Sequence, residues 1–196
     1  MDGVGRPIYL ARHGATRANE RGVRIGRSPE ALSVRGIAQA EALARAVQRT
    51  EVRVIWASPL VRARQTAEIV GRACGLAVHT SDDLCEMDYG PLEGLTEPEI
   101  ALRHPEEERA WSGELHVAPR GAEPLASVAE RVVRAIERIR ADGVALIVTH
   151  LTPLRLAFAH YGRVPIPHAP RFFPENGALY RLSARGLELV DECRAE

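Results

Sequence analysis

Three cysteines in 196 residues, Cys74, Cys85 and Cys193, are too few and too scattered for a disulfide framework, and they form no Cys-x-x-Cys pair for zinc or redox work. They read as reduced thiols. Neither sign of charge is in excess: 26 basic residues, all arginine, meet 26 Asp and Glu, for a formal net charge of zero. That balance removes the bulk electrostatic footprint of a nucleic-acid or anionic-membrane partner, so any basic function must be local. No apolar run is long enough to span a bilayer, and Met1 to Pro7 lacks the basic head and apolar stretch of a signal peptide. A cytoplasmic location is expected. The first apolar run is not followed by Gly-x-Gly-x-x-Gly, and without lysine no Walker Gly-x-x-x-x-Gly-Lys exists. Dinucleotide and P-loop nucleotide binding are therefore disfavoured. There are no repeats and no low-complexity tail.

What is present is an ordinary globular composition, 45% hydrophobic and 27% charged, which predicts one domain over residues 1–196. Ile8 to Ala11 reads as a buried strand after Gly3, Gly5 and Pro7. Ile37, Ala40, Ala44 and Val47 recur at helical spacing within Val34 to Val47. Glu51 to Ala57 is a β-branched, aromatic strand running through Ser58-Pro59 into a helix from Leu60 to about Ala73, which Gly75 stops. Leu76 to Thr80 is a further short strand. Residues 84–121 are rich in Pro, Gly and charge, with a short helix predicted over Glu97 to Arg103, and the variable stretch at about 96–121 is lid-like. Leu125, Val128, Val132, Ile136 and Ile139 line a long helix. The apolar strand Val144 to Thr149 ends at His150, and a helix follows over Thr152 to Tyr161. Beyond the irregular run through Pro165, Pro167, Pro170 and Pro174, the segments Ala178 to Leu182 and Leu187 to Val190 form a terminal hairpin. The alternation predicts a three-layer α/β/α sandwich, with a mostly parallel sheet and an antiparallel edge strand. The Pro-rich run and the hairpin could provide an edge for a homodimer.

The polar candidates fall at strand ends, where α/β sheets keep their ligand sites. Arg12-His13-Gly14 follows the first strand: a histidine that can attack, a planar permanent cation suited to phosphate oxygens, and a glycine permitting a tight turn and close backbone approach to a ligand. Arg62 lies in the first turn of its helix, where the helix dipole already favours an anion. His150 occupies the equivalent place after the most apolar strand. Arg12, His13, Arg62 and His150 can thus converge from three strand ends on one phosphoryl group. Taken singly, each reads better as surface charge or as a hydrogen-bonded histidine than as part of a site. Phosphoryl transfer to His13 also needs an acid for the departing oxygen and later a base for water. Glu86 is the candidate, with Asp88 and Glu93 as rivals on chemistry alone.

These residues resemble the histidine phosphatase superfamily, also called phosphoglycerate mutase-like. The likeness runs through RHGATRAN at Arg12 to Asn19, LSVRGIAQA at Leu32 to Ala40, SPLVRARQTA at Ser58 to Ala67, EMDYGPLEG at Glu86 to Gly94, GAEPLASVAERV at Gly121 to Val132 and VTHLTPLR at Val148 to Arg155. It implies a phosphoglycerate mutase-like fold and His13 as the nucleophile that becomes phosphohistidine. Arg12, Arg62 and His150 would form the phosphate pocket, with Asn19, Thr16 and Leu151 as further phosphate or substrate contacts. Glu86 is implied as proton donor, and no metal or organic cofactor for the hydrolytic branch. On this reading two arginines and a protonated His150 supply positive charge to a loose transition state without magnesium. Two positions depart from the family pattern. Leu151 stands where glycine is common after the second histidine, and Ala15 stands where many relatives have Glu or Gln.

The expected activity is hydrolysis of a small phosphorylated metabolite. Family mutases typically carry Arg-His-Tyr after the catalytic Glu and a longer basic insertion. Here Met87-Asp88-Tyr89 follows, with an acid expected to repel a second phosphate. A phosphoglycerate mutase-type transfer and a catalytically weak phospho-ligand-binding module remain the alternatives. Arg103, His104, Arg109, His116 and Arg120 could grip the distal part of a substrate or serve only as surface charge.

Overall fold

The computed structural model describes residues 6–107 and 118–194. Six strands form one sheet: β1 (Ile8–Arg12), β2 (Val54–Ala57), β3 (Val78–Thr80), β4 (Ala145–Thr149), β5 (Leu179–Ser183) and β6 (Gly186–Asp191), in the order β3-β2-β4-β1-β5-β6. β1 and β4 are apolar at nearly every position because both faces of a central parallel strand are covered. β4 runs parallel to β1 and β2, and β3 parallel to β2, whereas β5 opposes β1 and β6 opposes β5. The reversed strand is therefore the penultimate one, and the edge strand β6 points the same way as β1.

The layers follow from strand alternation. Ile8, Leu10, Ala145 and Ile147 pack on one face beneath α5 (Leu125–Asp142) and α6 (Leu151–Tyr161). Tyr9, Ala11, Leu146 and Val148 face the other way, onto α2 (Val34–Val47) and α3 (Val61–Cys74). Ser33 caps α2, its side chain accepting from Gly36 N at 3.1 Å. Gly75, at φ 67°, ends α3 in the left-handed conformation that glycine takes without strain. The apolar stripe of α5 is buried as its spacing predicted, and α4 (Glu97–Arg103) spans the expected residues behind a Thr96–Glu99 capping box.

The differences are local. β2 starts at Val54 rather than Glu51 because its partner β4 begins opposite it, at Ala145. β3 shrinks to three residues at the sheet edge, and α6 starts at Leu151 with His150 as its N-cap. A one-turn helix, α1 (Arg17–Glu20), is absent from the sequence-based expectation. Of the lid-like segment, residues 108–117, including Arg109 and His116, lie outside the described residues. No helix among the described residues is long and apolar enough to cross a membrane.

Candidate active site

Because β2, β4 and β1 are neighbours, their carboxyl ends deliver Arg62, His150 and His13 to one place. His13 is pinned there by its own N–H, which donates to Thr149 O on β4 at 3.0 Å. Its ring lies 5.0 Å, centroid to centroid, from that of His150. His13 Nδ1 sits 2.7 Å from Gly14 O, and Arg62 Nε donates to His13 Nε2 at 3.2 Å. A carbonyl can only accept and a guanidinium can only donate, so the tautomer is forced: Nδ1 carries the proton and Nε2 presents a lone pair. Burial, then Arg62 and Arg12, hold the imidazole well below its usual pKa and keep it neutral, as a nucleophile requires.

Gly14 is needed for a reason other than the one read from sequence. A Cβ there would lie 2.2 Å from Gly36 O, and one on Gly36 would lie 1.9 Å from Ala15 O. The close approach that the structure shows is to the backbone at the start of α2. Ala15 is tied at the same seam, its N–H donating to Gln39 Oε1 at 2.8 Å and its carbonyl accepting from Ser33 N at 2.9 Å.

Arg62 and His150 are fully buried behind His13, while Arg12 and His13 line the open cleft. Arg62 is aimed by carbonyls of the loop crossing the site, donating from Nη2 to Gly26 O at 2.8 Å and from Nη1 to Ser28 O at 3.3 Å. Arg12 Nη1 donates to Pro174 O at 2.9 Å. Arg12 Nε and both ring nitrogens of His150 are buried with no hydrogen-bond partner. Such groups are costly unless something completes them: the oxygens of a phosphoryl group fit the Arg12 Nε donor, and fit both His150 nitrogens only once that ring is protonated. Burial pushes Arg12 down only to about 10, so it stays charged at neutrality. His150 differs from expectation. Burial, followed by Arg62, His13 and Arg12, holds it well below the usual histidine value, so the protein's own charges leave it neutral. Only an arriving anion could reverse that balance.

Among the three rival carboxylates, Glu86 faces the cleft, accepting from Met87 N at 2.8 Å and Thr152 N at 3.3 Å. Asp88 is exposed, turned to Gly90 N at 2.8 Å and outside the lining of the cleft. Glu93 accepts from Arg27 N at 2.7 Å and Ser28 Oγ at 2.6 Å, holding the loop whose carbonyls aim Arg62.

Glu86 is itself held by Arg131, which sequence reasoning did not single out. That buried guanidinium donates to the carbonyls of Asp83, Cys85 and Glu86 at 2.9, 2.6 and 3.2 Å. Glu123 fixes it with two bonds, at 2.8 and 2.9 Å. Replacing Arg131 with Met strands these carbonyls and a half-buried carboxylate, and the denaturant midpoint should fall by an amount equivalent to about 2–3 kcal/mol.

A sequence profile of the histidine phosphatase superfamily (branch 1) matches residues 8–190. The chain belongs to that superfamily. It is 36% identical over 158 residues to the bifunctional protein Rv2228c of Mycobacterium tuberculosis, a match covering 79% of this chain and 43% of that protein. This histidine phosphatase domain thus spans less than half the length of that relative. Phosphoserine phosphatase 1 of Hydrogenobacter thermophilus is 34% identical over 155 residues, 77% of this chain and 74% of that one. The structure of mycobacterial glucosyl-3-phosphoglycerate phosphatase Rv2419c with VO3 superposes with a TM-score of 0.83 at 26% identity, covering 94% of this chain and 96% of its own.

The remaining contacts sort by position in this histidine phosphatase site. Asn19 lines the cleft, its Oδ1 accepting from Thr16 N at 3.1 Å and from Asn176 Nδ2 at 3.4 Å. Thr16 is buried as the N-cap of α1 and orients Asn19 from below, outside the lining. Leu151 lines the wall, whereas Arg103, His104 and Arg120 do not. The cleft, about 540 Å³ in all, is instead lined by Arg24, Arg35 and Arg155 together with Glu20, Glu97 and Glu175. Of these, Arg35 and Arg155 belong to motifs shared with the family pattern. Nothing in local sequence marks the others.

Proposed function

We propose that this chain hydrolyses small phosphomonoesters through two successive displacements at His13. The observation that carries the reading is the His13 ring, neutral, with its tautomer fixed and Nε2 held beside Arg62. In the first step Nε2 bonds to phosphorus and the ester P–O bond breaks, the departing oxygen taking a proton from Glu86. In the second, Glu86 takes a proton from water, the hydroxyl attacks phosphorus, and the P–N bond breaks. Two inversions give retention. Arg12, Arg62 and a His150 that gains its proton alongside the dianion would face the equatorial oxygens, where preorganised charge acts most strongly. Relatives named for phosphoserine and glucosyl-3-phosphoglycerate support a small metabolite as substrate.

Incubation with 4-nitrophenyl phosphate in EDTA should give metal-free turnover. A wild type inert to it and to a metabolite phosphatase panel overturns the proposal and leaves a binding module. With 3-phosphoglycerate, free phosphate supports the hydrolase, and an isomeric product would make the enzyme a mutase.

A further inference from the structure

The segment Phe172 to Asn176, at sequence level only an irregular Pro-rich connection, is fastened to the reacting centre at several points. Phe172 stacks on Phe158 at 4.6 Å and meets Tyr180 edge-on at 5.1 Å, which anchors the segment to α6 and β5. Its carbonyl accepts from Arg155 Nε at 3.0 Å. Pro174 O holds Arg12, and Asn176 Nδ2 donates to the carbonyl of His13 at 2.9 Å.

Between two fastened residues stands Phe173, 60% exposed and lining the cleft. The guanidinium carbons of Arg12 and Arg155 lie 6.0 and 5.1 Å from its ring centroid. A lone exposed apolar residue ordinarily needs no explanation. This one is fastened on both sides, through the carbonyls of Phe172 and Pro174, and stands beside Arg12.

Resting on the phosphomonoesterase reading, we propose that Phe173 determines specificity as the platform for the leaving alcohol, selecting phosphomonoesters whose alcohol carries a flat ring or another apolar face close to the phosphate. Covering the ring removes apolar surface from water, and offset or edge contact adds a geometric preference. Arg155, against the same ring, supplies a donor to an oxygen on the rim of such a group. A substrate lacking that face leaves the platform wet and gains nothing from it.

The test compares phenethyl phosphate with ethyl phosphate, two primary alkyl esters of similar leaving-group chemistry that differ by a phenyl ring. Wild type should favour phenethyl phosphate in kcat/KM by about three- to tenfold, as a ring contact of this kind implies. In Phe173→Ala that preference should collapse, and in Phe173→Trp it should persist. If Phe173→Ala lowers both esters alike, the ring merely braces Arg12 and Arg155 and the proposal fails. An absent wild-type preference also overturns it. A wild type that turns over 4-nitrophenyl phosphate but neither alkyl ester overturns the platform alone, whereas one inert also to 4-nitrophenyl phosphate and the metabolite panel overturns the hydrolase reading with it.

Discussion

His13→Ala should lower kcat for any phosphomonoester by a factor on the order of 10⁴ to 10⁶, the scale on which removal of an enzymic nucleophile acts. The structure makes the loss specific to the chemistry. His13 lines the cleft with its neutral lone pair beside Arg62, whereas the neighbouring His150 ring, 5.0 Å away, is fully buried and outside the lining. Quench of wild type during turnover in alkaline detergent should trap a base-stable, acid-labile phosphoenzyme that His13→Ala does not form, while circular dichroism and the thermal midpoint establish that the variant folds. The pH profile supplies a second check. Burial and two arginines lower the His13 pKa, so the attacking form persists below the ordinary histidine value of about 6.5 and is lost only as pH falls through the lowered one. The acid limb of kcat/KM attributable to this group should therefore lie below about 6.5. Activity in His13→Ala within tenfold of wild type would remove the covalent mechanism.

That His13, Arg12, Arg62 and His150 belong together was legible because each sits beside a strand whose apolar pattern is local, and three such strands are neighbours in a parallel sheet. The rest depended on chain-distant contacts. Arg131 looks like one more polar residue of an amphipathic helix, and only folding brings it onto three carbonyls about 45 residues away. Phe173 lies in a stretch without periodicity, and its place beside Arg12 follows from Pro174 O, across 162 residues of chain. Gly14 was read as serving a ligand because Arg-His-Gly offers no hint of Gly36, whose carbonyl is the atom a side chain would strike. Charge states were least accessible. A histidine among two arginines in an anion site invites a protonated reading, yet full burial reverses the sign. The choice of Glu86 over Asp88 and Glu93 likewise required knowing which carboxylate faces the cleft.

Glu86→Gln should separate the two steps assigned to that carboxyl. With an alkyl phosphate the departing alkoxide is a poor leaving group and needs the proton, so kcat/KM should fall by about 10²- to 10⁴-fold. With 4-nitrophenyl phosphate the leaving oxygen is stable without one, and kcat/KM, which reports steps through formation of the phosphoenzyme, should fall by less than about tenfold. Hydrolysis of the phosphohistidine is common to both substrates and needs the base, so kcat should fall for both. The nitrophenyl ester should then give a burst of nitrophenolate equal to the enzyme concentration, followed by slow turnover. The amide can still accept from Met87 N at 2.8 Å, although its NH2 then opposes Thr152 N–H, and the thermal midpoint should register that small cost. Equal losses in kcat/KM for the two esters would show that Glu86 does not protonate the leaving group. A burst would then still assign it to the water step, and the donor would have to be another group within reach of the ester oxygen. Loss without a burst on either ester would take Glu86 out of the reaction and leave it as a support for the loop that Arg131 holds.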